Sequence, residues 1–266
     1  MFISPNSSRG PRGSAAGFSQ VCTMLLLAFL LLGRPSAANA ADPIRPYQLN
    51  CLTDTAWLVA SGSITLGTQL VIAGNELDLR APVSSDELNW LDRKAITALD
   101  KNASANAALI SDVIVGTALS WVLIGPGVTW IQDDAKEARV DLLLYSEVVG
   151  ITMALTNLVK IAVGRRRPIT YLMDANEPLN SDHGLSFYSG HSAVVAAIGA
   201  AATTIAFQRH RPAWQRWLTL GLAVGLTSWV AVERVLAKKH FPTDVMVGAA
   251  TGAAIGILIP ALHLSD

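Results

Sequence analysis

The chain has 266 residues, 51% of them hydrophobic and 15% charged, with a mean hydropathy of +0.39. Soluble domains run near a quarter charged, and a chain with this much apolar surface to bury is not disordered. The formal net charge is zero, but Arg9, Arg12 and Arg34 are the only charged residues among the first 40, leaving 17 basic against 20 acidic residues beyond them; a nucleic-acid partner would want the opposite balance.

The first element reads as an export signal. Arg9 and Arg12 form a basic start, Val21 to Leu32 an apolar run, and Ala38-Asn39-Ala40 a small-x-small cleavage site. Twelve apolar residues are too few to span a bilayer comfortably. Cleavage after Ala40 would remove Cys22 and leave Cys51 as the only cysteine. That count excludes a disulfide framework, and no CxxC, HExxH or EF-hand spacing marks a metal site.

Uncharged stretches follow at 55–75, 113–132, 148–159, 192–208, 217–232 and 245–262, the third growing to 142–159 if Glu147 is accepted inside it. None alternates as a strand would. Small residues recur in them, as in Gly248-Ala249-Ala250-Thr251-Gly252, and let helices approach closely in lipid. The expected fold is all-α, a six-helix bundle crossing the membrane several times, against a soluble helical protein as the alternative. Between the first two stretches, the polar segment 76–106 holds Asp86 to Leu91 and Ile96 to Leu99, which suggest a short amphipathic helix at the interface.

The connector Arg209-His210-Arg211-Pro212-Ala213-Trp214-Gln215-Arg216 has three arginines and no acid, the mark of a cytoplasmic loop, and Trp214 and Trp217 suit an aromatic belt. The loops before the fourth and after the fifth helix then face the periplasm. A leader cleaved in the periplasm fits this orientation only if 55–75 does not cross fully, and its Ser61, Ser63, Thr65, Thr68 and Gln69 allow that reading.

Three clusters carry the chemistry. Lys160 to Pro168 closes the third helix; Lys160 and Arg167 are seven residues apart, nearly two helical turns, and would share a face about 10 Å apart if the helix continues. Phe187-Tyr188-Ser189-Gly190-His191 precedes the fourth helix, with Ser189 as N-cap, free backbone N–H groups suited to an anion, and His191 beside them. Glu233 to Asp244 joins the last two helices; Pro242 suits a helical first turn, Asp244 follows in it, and His240 lies four residues before the carboxylate. Each cluster alone also fits a structural role, as a basic helix end, a capping turn or a mixed-charge interfacial loop.

Taken together, Lys160…Arg167-Pro168, Tyr188-Ser189-Gly190-His191 and Glu233-Arg234…His240…Asp244 resemble the type 2 phosphatidic acid phosphatase family, which shares its site with vanadium haloperoxidases and bacterial class A acid phosphatases. Spacing matches in every block over about 85 residues, and six helices fit the membrane branch. Tyr188 stands where the family has proline and Glu233 where it has serine. The resemblance implies a metal-independent phosphatase without cofactor, acting on a lipid phosphate monoester or diphosphate through a phosphohistidine. Carried over, His240 attacks phosphorus, Asp244 orients it and His191 protonates the leaving alkoxide. Lys160, Arg167 and Arg234 neutralise the phosphate oxygens, and the backbone of Ser189 and Gly190 adds donors. His183, His210, His263, Arg165 and Arg166 match no role.

The expected organisation is a leader at 1–40, a first apolar helix with its polar segment at 41–106, and a catalytic core at 107–266 in the bacterial inner membrane, with the site facing the periplasm. The alternatives are a soluble periplasmic acid phosphatase, a vanadium haloperoxidase, and a non-catalytic six-span lipid-binding or transport protein.

Overall fold

The computed structural model describes residues 46–75, 77, 84–97, 104–173 and 177–265, all within one unit that runs from Asp42 to Asp266. The expected leader at 1–40 lies outside the described residues. Seven α-helices follow in order: α1 (Cys51–Ala73), α2 (Trp90–Thr97), α3 (Ser104–Gln132), α4 (Ala135–Val163), α5 (Gly190–Gln208), α6 (Ala213–Leu236) and α7 (Pro242–Leu262). All but α2 are long and apolar enough to cross a membrane, and the only β feature among the described residues is an isolated bridge between Tyr47 and Leu264. The all-α, six-span expectation holds.

Local chemistry sets the ends. Asn50, Asp134 and Ser189 cap α1, α4 and α5 by accepting from backbone N–H groups of the first turn. Gly164 ends α4 in a left-handed conformation (φ 58°, ψ 34°), its N–H donating to Lys160 O at 2.9 Å. The helix therefore stops three residues before Arg167, which is extended (φ −75°, ψ 153°). Lys160 and Arg167 do not share a helical face as expected, because Gly164 takes a left-handed conformation that turns the chain there.

The tightest packing joins α5 to α7. A Cβ on Gly248, Gly252 or Gly256 would stand 2.5, 2.0 or 2.2 Å from the carbonyl oxygens of Ser189, Ala193 and Ala197. Three glycines spaced by four thus let two backbones touch and hold the first turns of the two helices side by side. Gly252→Leu should lower the melting temperature in detergent by several degrees, consistent with an overpacking cost of about 1–3 kcal/mol; an unchanged melting curve would show that the pair has room to part. Around this seam, Leu144, Tyr145 and Val148 of α4 pack with Ala197, Ala201 and Ile205 of α5 and with Ile259 of α7.

Thr68 of α1 accepts from Asn157 of α4 at 3.0 Å, and Ser61 lies against Gly150, so α1 and α4 run in the same direction. Tyr47 Oη donates to Gln208 Oε1 at 2.6 Å and the N–H of Gln48 to His263 O at 2.8 Å. The start of α1, the end of α7 and the 209–216 connector thus share one end of the bundle. That end carries exposed Trp57, Trp130, Trp214 and Trp217, the aromatic girdle expected at a membrane interface. Acids from the α3–α4 loop and the start of α4 meet the connector's arginines there: Arg209 pairs with Glu137 at 3.0 Å and Asp141 at 2.7 Å, and Arg211 with Asp133.

α1 is a continuous 23-residue helix lying along α4, long and apolar enough to cross a membrane. At the opposite end, the expected interfacial segment forms a 3-10 turn (Ser85–Glu87) and α2, with Trp90 exposed and Asp92 buried.

Candidate functional site

All three clusters meet at that opposite end. The end of α4 supplies Lys160, the segment after Gly164 supplies Arg167, α5 opens with Gly190 and His191, α6 ends at Arg234, and the α6–α7 loop brings His240. These six residues line a single cavity of about 270 Å³. Lys160 Nζ donates to Leu185 O at 2.8 Å, and Arg167 pairs with Asp182 at 2.6 Å. Its backbone N–H donates to His183 O at 2.9 Å, so the unmatched His183 helps place it. The Nε atoms of both Arg167 and Arg234 are buried without a hydrogen-bond partner. Buried guanidinium donors left open in a cavity are suited to an anion with several oxygens.

His240 is buried, with Nδ1 2.6 Å from Ser186 O. A carbonyl only accepts, so Nδ1 carries the proton and Nε2 keeps its lone pair. Burial, and then Lys160, Arg167 and Arg234, hold its pKa well below the ordinary histidine range, which keeps the ring neutral. Asp244 does not hold the imidazole directly, contrary to the expectation from their spacing: its Oδ2 is 3.9 Å from Nδ1. The carboxylate is drawn away because it caps its own helix, accepting from Phe241 N at 2.9 Å, and also accepts from Ser186 Oγ at 2.5 Å and Arg165 at 2.5 Å. Its hold on the ring runs through Ser186.

Ser189 also departs from its expected part. It caps α5, accepting from Ser192 N at 3.3 Å, but its own N–H donates to Asp244 O at 3.1 Å. The backbone donors left facing the cavity begin at Gly190, so Ser189 secures the helix start rather than offering an N–H to a ligand. The Phe187–Tyr188 peptide that stands before it is cis. Glu233 turns away from the cations, and its Oε1 accepts from Trp229 Nε1 at 2.9 Å.

Four participants escaped the sequence reading. Ser186 bridges Asp244 and His240. Arg165, left without a role, spans Asp244 and Asp92 (2.8 Å) and lies 4.2 Å over the Phe241 ring. Asp92 also accepts from Thr243 Oγ1 at 2.7 Å; these hydrogen bonds outweigh its burial and hold its pKa below the ordinary carboxylate value. Asp112 of α3 lies 2.7 Å from His191 Nε2 and 3.6 Å from Arg234. No local spacing signals these contacts, since 79 residues separate Asp112 from His191 and 73 separate Asp92 from Arg165.

The cavity continues into an apolar flank. Ile72 of α1, Val115 and Leu119 of α3, Met153 of α4 and Val194 of α5 line it beside the charged residues. Cations and histidines thus stand at the mouth of a cleft whose other walls are membrane-length helices.

Comparison with known proteins finds similar chains. Residues 141–265 match the PAP2 superfamily. The chain is 35% identical over 108 residues to lipid A 1-phosphatase of Rhizobium johnstonii, covering 39% of this chain and 40% of that protein. It is 30% identical over 141 residues to phospholipid phosphatase 1 of Mus musculus, covering 44% and 50%. The chain thus matches half or less of the length of these curated relatives. Its fold is shared with the crystal structure of a transmembrane PAP2-type phosphatidylglycerolphosphate phosphatase from Bacillus subtilis, at a TM-score of 0.50 and 16% identity over 79% of this chain and 94% of that one. The motif order and the matched segment together make residues 141–265, a little under half of the chain, similar to the PAP2 superfamily.

Proposed function

We propose that this protein is a membrane phosphatase that hydrolyses a lipid phosphate monoester or diphosphate. The observation that carries the reading is the cavity itself, in which Lys160, Arg167, Arg234 and two histidines adjoin apolar walls from α1, α3, α4 and α5. An amphiphile with a phosphate head satisfies both halves. The apolar flank and the membrane-length helices favour this over a soluble acid phosphatase.

His240 Nε2 attacks phosphorus while the bond to the leaving oxygen breaks, and His191 gives that oxygen its proton. Water then cleaves the phosphohistidine, with His191 taking a proton from it. Lys160, Arg167, Arg234 and the Gly190 N–H meet the charge on the equatorial oxygens, the main demand of phosphoryl transfer. The Ser186 carbonyl keeps Nδ1 protonated and Nε2 free, and Asp244 positions Ser186 through its hydroxyl.

Phosphate release from detergent-solubilised protein, over a panel of lipid phosphate monoesters and diphosphates, tests the reading. The cage supplies its own cations, so turnover should persist in excess EDTA and fall with vanadate, which occupies the same oxygen positions. Loss in EDTA that magnesium restores would overturn the metal-independent part.

In this reading the protein sits in the inner membrane with its cage towards the periplasm, supported by the arginine-rich connector and tryptophans of the other end. In a chain lacking Cys22 and Cys51, Leu179→Cys should react with an impermeant thiol reagent in intact spheroplasts, and Ala213→Cys only after lysis. The reverse pattern would invert the protein.

A further inference from the structure

At the end of the bundle away from the cage, three titratable side chains meet that no local motif announces. Asp54 lies in the first turn of α1, Glu147 in α4, and His263 caps α7. One donor atom from each falls within 4.8 Å of the others. His263 Nε2 is 3.3 Å from Glu147 Oε2 and 3.5 Å from Asp54 Oδ1.

These separations are too long for charge-assisted hydrogen bonds, which close to about 2.7–2.9 Å. The two edges from His263 are close to the edge of a tetrahedron of donors around a metal ion, roughly 3.4 Å for bonds of about 2.1 Å, and the two carboxylates stand within 4.8 Å of each other, to be drawn together by the ion. The surroundings orient each donor. His263 Nδ1 lies 2.8 Å from Ile259 O, which can only accept, so Nε2 is the atom presented to the acids. Asp54 Oδ2 accepts from Asn50 N at 2.9 Å, leaving Oδ1 towards the histidine. Glu147 is 1% exposed, and its Oε1 is buried with no hydrogen-bond partner.

Charge counting points the same way. Two carboxylates face one imidazole, so a proton on Nε2 sets one positive charge against two negative ones in a largely dry setting, whereas a divalent cation brings the group to neutrality. Imidazole together with two carboxylates suits a borderline ion, while calcium and magnesium want more oxygen donors.

We propose that Asp54, Glu147 and His263 bind one divalent transition-metal ion of the zinc class, with a solvent molecule as fourth ligand. The ion ties α1 to α4 and α7. This helix buries only Asp54 and Ser61 among its residues, so a bond at Asp54 would fix its register where apolar packing does not. The site stands apart from the phosphate cage and takes no part in the proposed reaction.

The test uses the full chain, purified in detergent with a tag that contains no histidine, stripped with chelator and then titrated with zinc or cobalt. The wild type should retain about one equivalent of zinc through gel filtration, gain melting temperature on adding it, and give the intense visible absorption of tetrahedral cobalt. Glu147→Gln, and separately Asp54→Asn, should weaken zinc binding by about tenfold or more and abolish the melting shift. Wild-type protein that folds but shows no cobalt spectrum and no zinc-dependent melting shift would overturn the proposal, whatever the variants do. Equal zinc retention by wild type and both variants would do the same.

Discussion

His240→Ala should lower phosphate release from a lipid phosphate by about 10⁴-fold or more, the scale seen when a nucleophile is removed, and should leave no acid-labile phosphoenzyme after a quench with labelled substrate. The ring is buried, its Nδ1 proton is fixed on Ser186 O, and Nε2 is the basic atom that remains among the cavity cations. No other neutral nitrogen on the cavity wall is held in that way: the second histidine, His191, has its Nε2 on Asp112. Asp244→Asn should leave binding near normal and cost part of the rate, because the neutral amide weakens the hold of Arg165 and Ser186 Oγ and so loosens the Ser186 carbonyl that positions His240. The cations that surround His240 also set its pH dependence. With its pKa held well below the ordinary histidine range, the neutral, attacking form persists as pH falls, so the acid limb of kcat/KM should lie on the acid side of a free imidazole. Near-normal turnover by a folded His240→Ala protein would remove His240 from the nucleophilic role.

The parts of this site that sequence alone could reveal are those written in local spacing. Lys160 and Arg167, Ser189 to His191, and Arg234, His240 and Asp244 are each set within a few residues of one another, and all but Ser189 and Asp244 line the cavity. The helix end at Gly164 was concealed because glycine is compatible both with a helix and with its left-handed stop, and only the turn to Arg167 decides between them. Arg165 reads as one more basic residue at a membrane surface until Asp92 and Asp244 are seen on either side of it. The connector arginines have the same history. Their charge is plain in sequence, while their partners Asp133, Glu137 and Asp141 arrive from the loop before α4 and its first turns, some 70 residues earlier. Contacts such as Asp54 with His263 join the two ends of the bundle's chain path, and no window of sequence contains both. The six long helices, by contrast, were legible because apolar length is itself a local property.

His191 should be needed in proportion to how poor the leaving group is. Expelling a lipid alkoxide requires a proton in the transition state, so His191→Ala should slow a dialkylglycerol phosphate by about 10²–10⁴-fold. An activated aryl phosphate leaves as a stable phenolate, and for it the same substitution should cost about tenfold or less. Asp112 extends the argument to a residue of α3. Its carboxylate lies 2.7 Å from His191 Nε2 and 3.6 Å from Arg234, and it is well exposed at the cavity rim. A carboxylate in that place orients the imidazole that must supply the proton, and offsets the charge of Arg234 beside it. Asp112→Asn should therefore slow the lipid phosphate several-fold more than the aryl phosphate. Asp112→Glu should restore part of that difference, an outcome that a residue serving only to pack α3 against α5 would not produce. An Asp112→Asn protein that loses rate equally on both substrates at every pH would assign Asp112 to binding or folding and leave His191 without this partner.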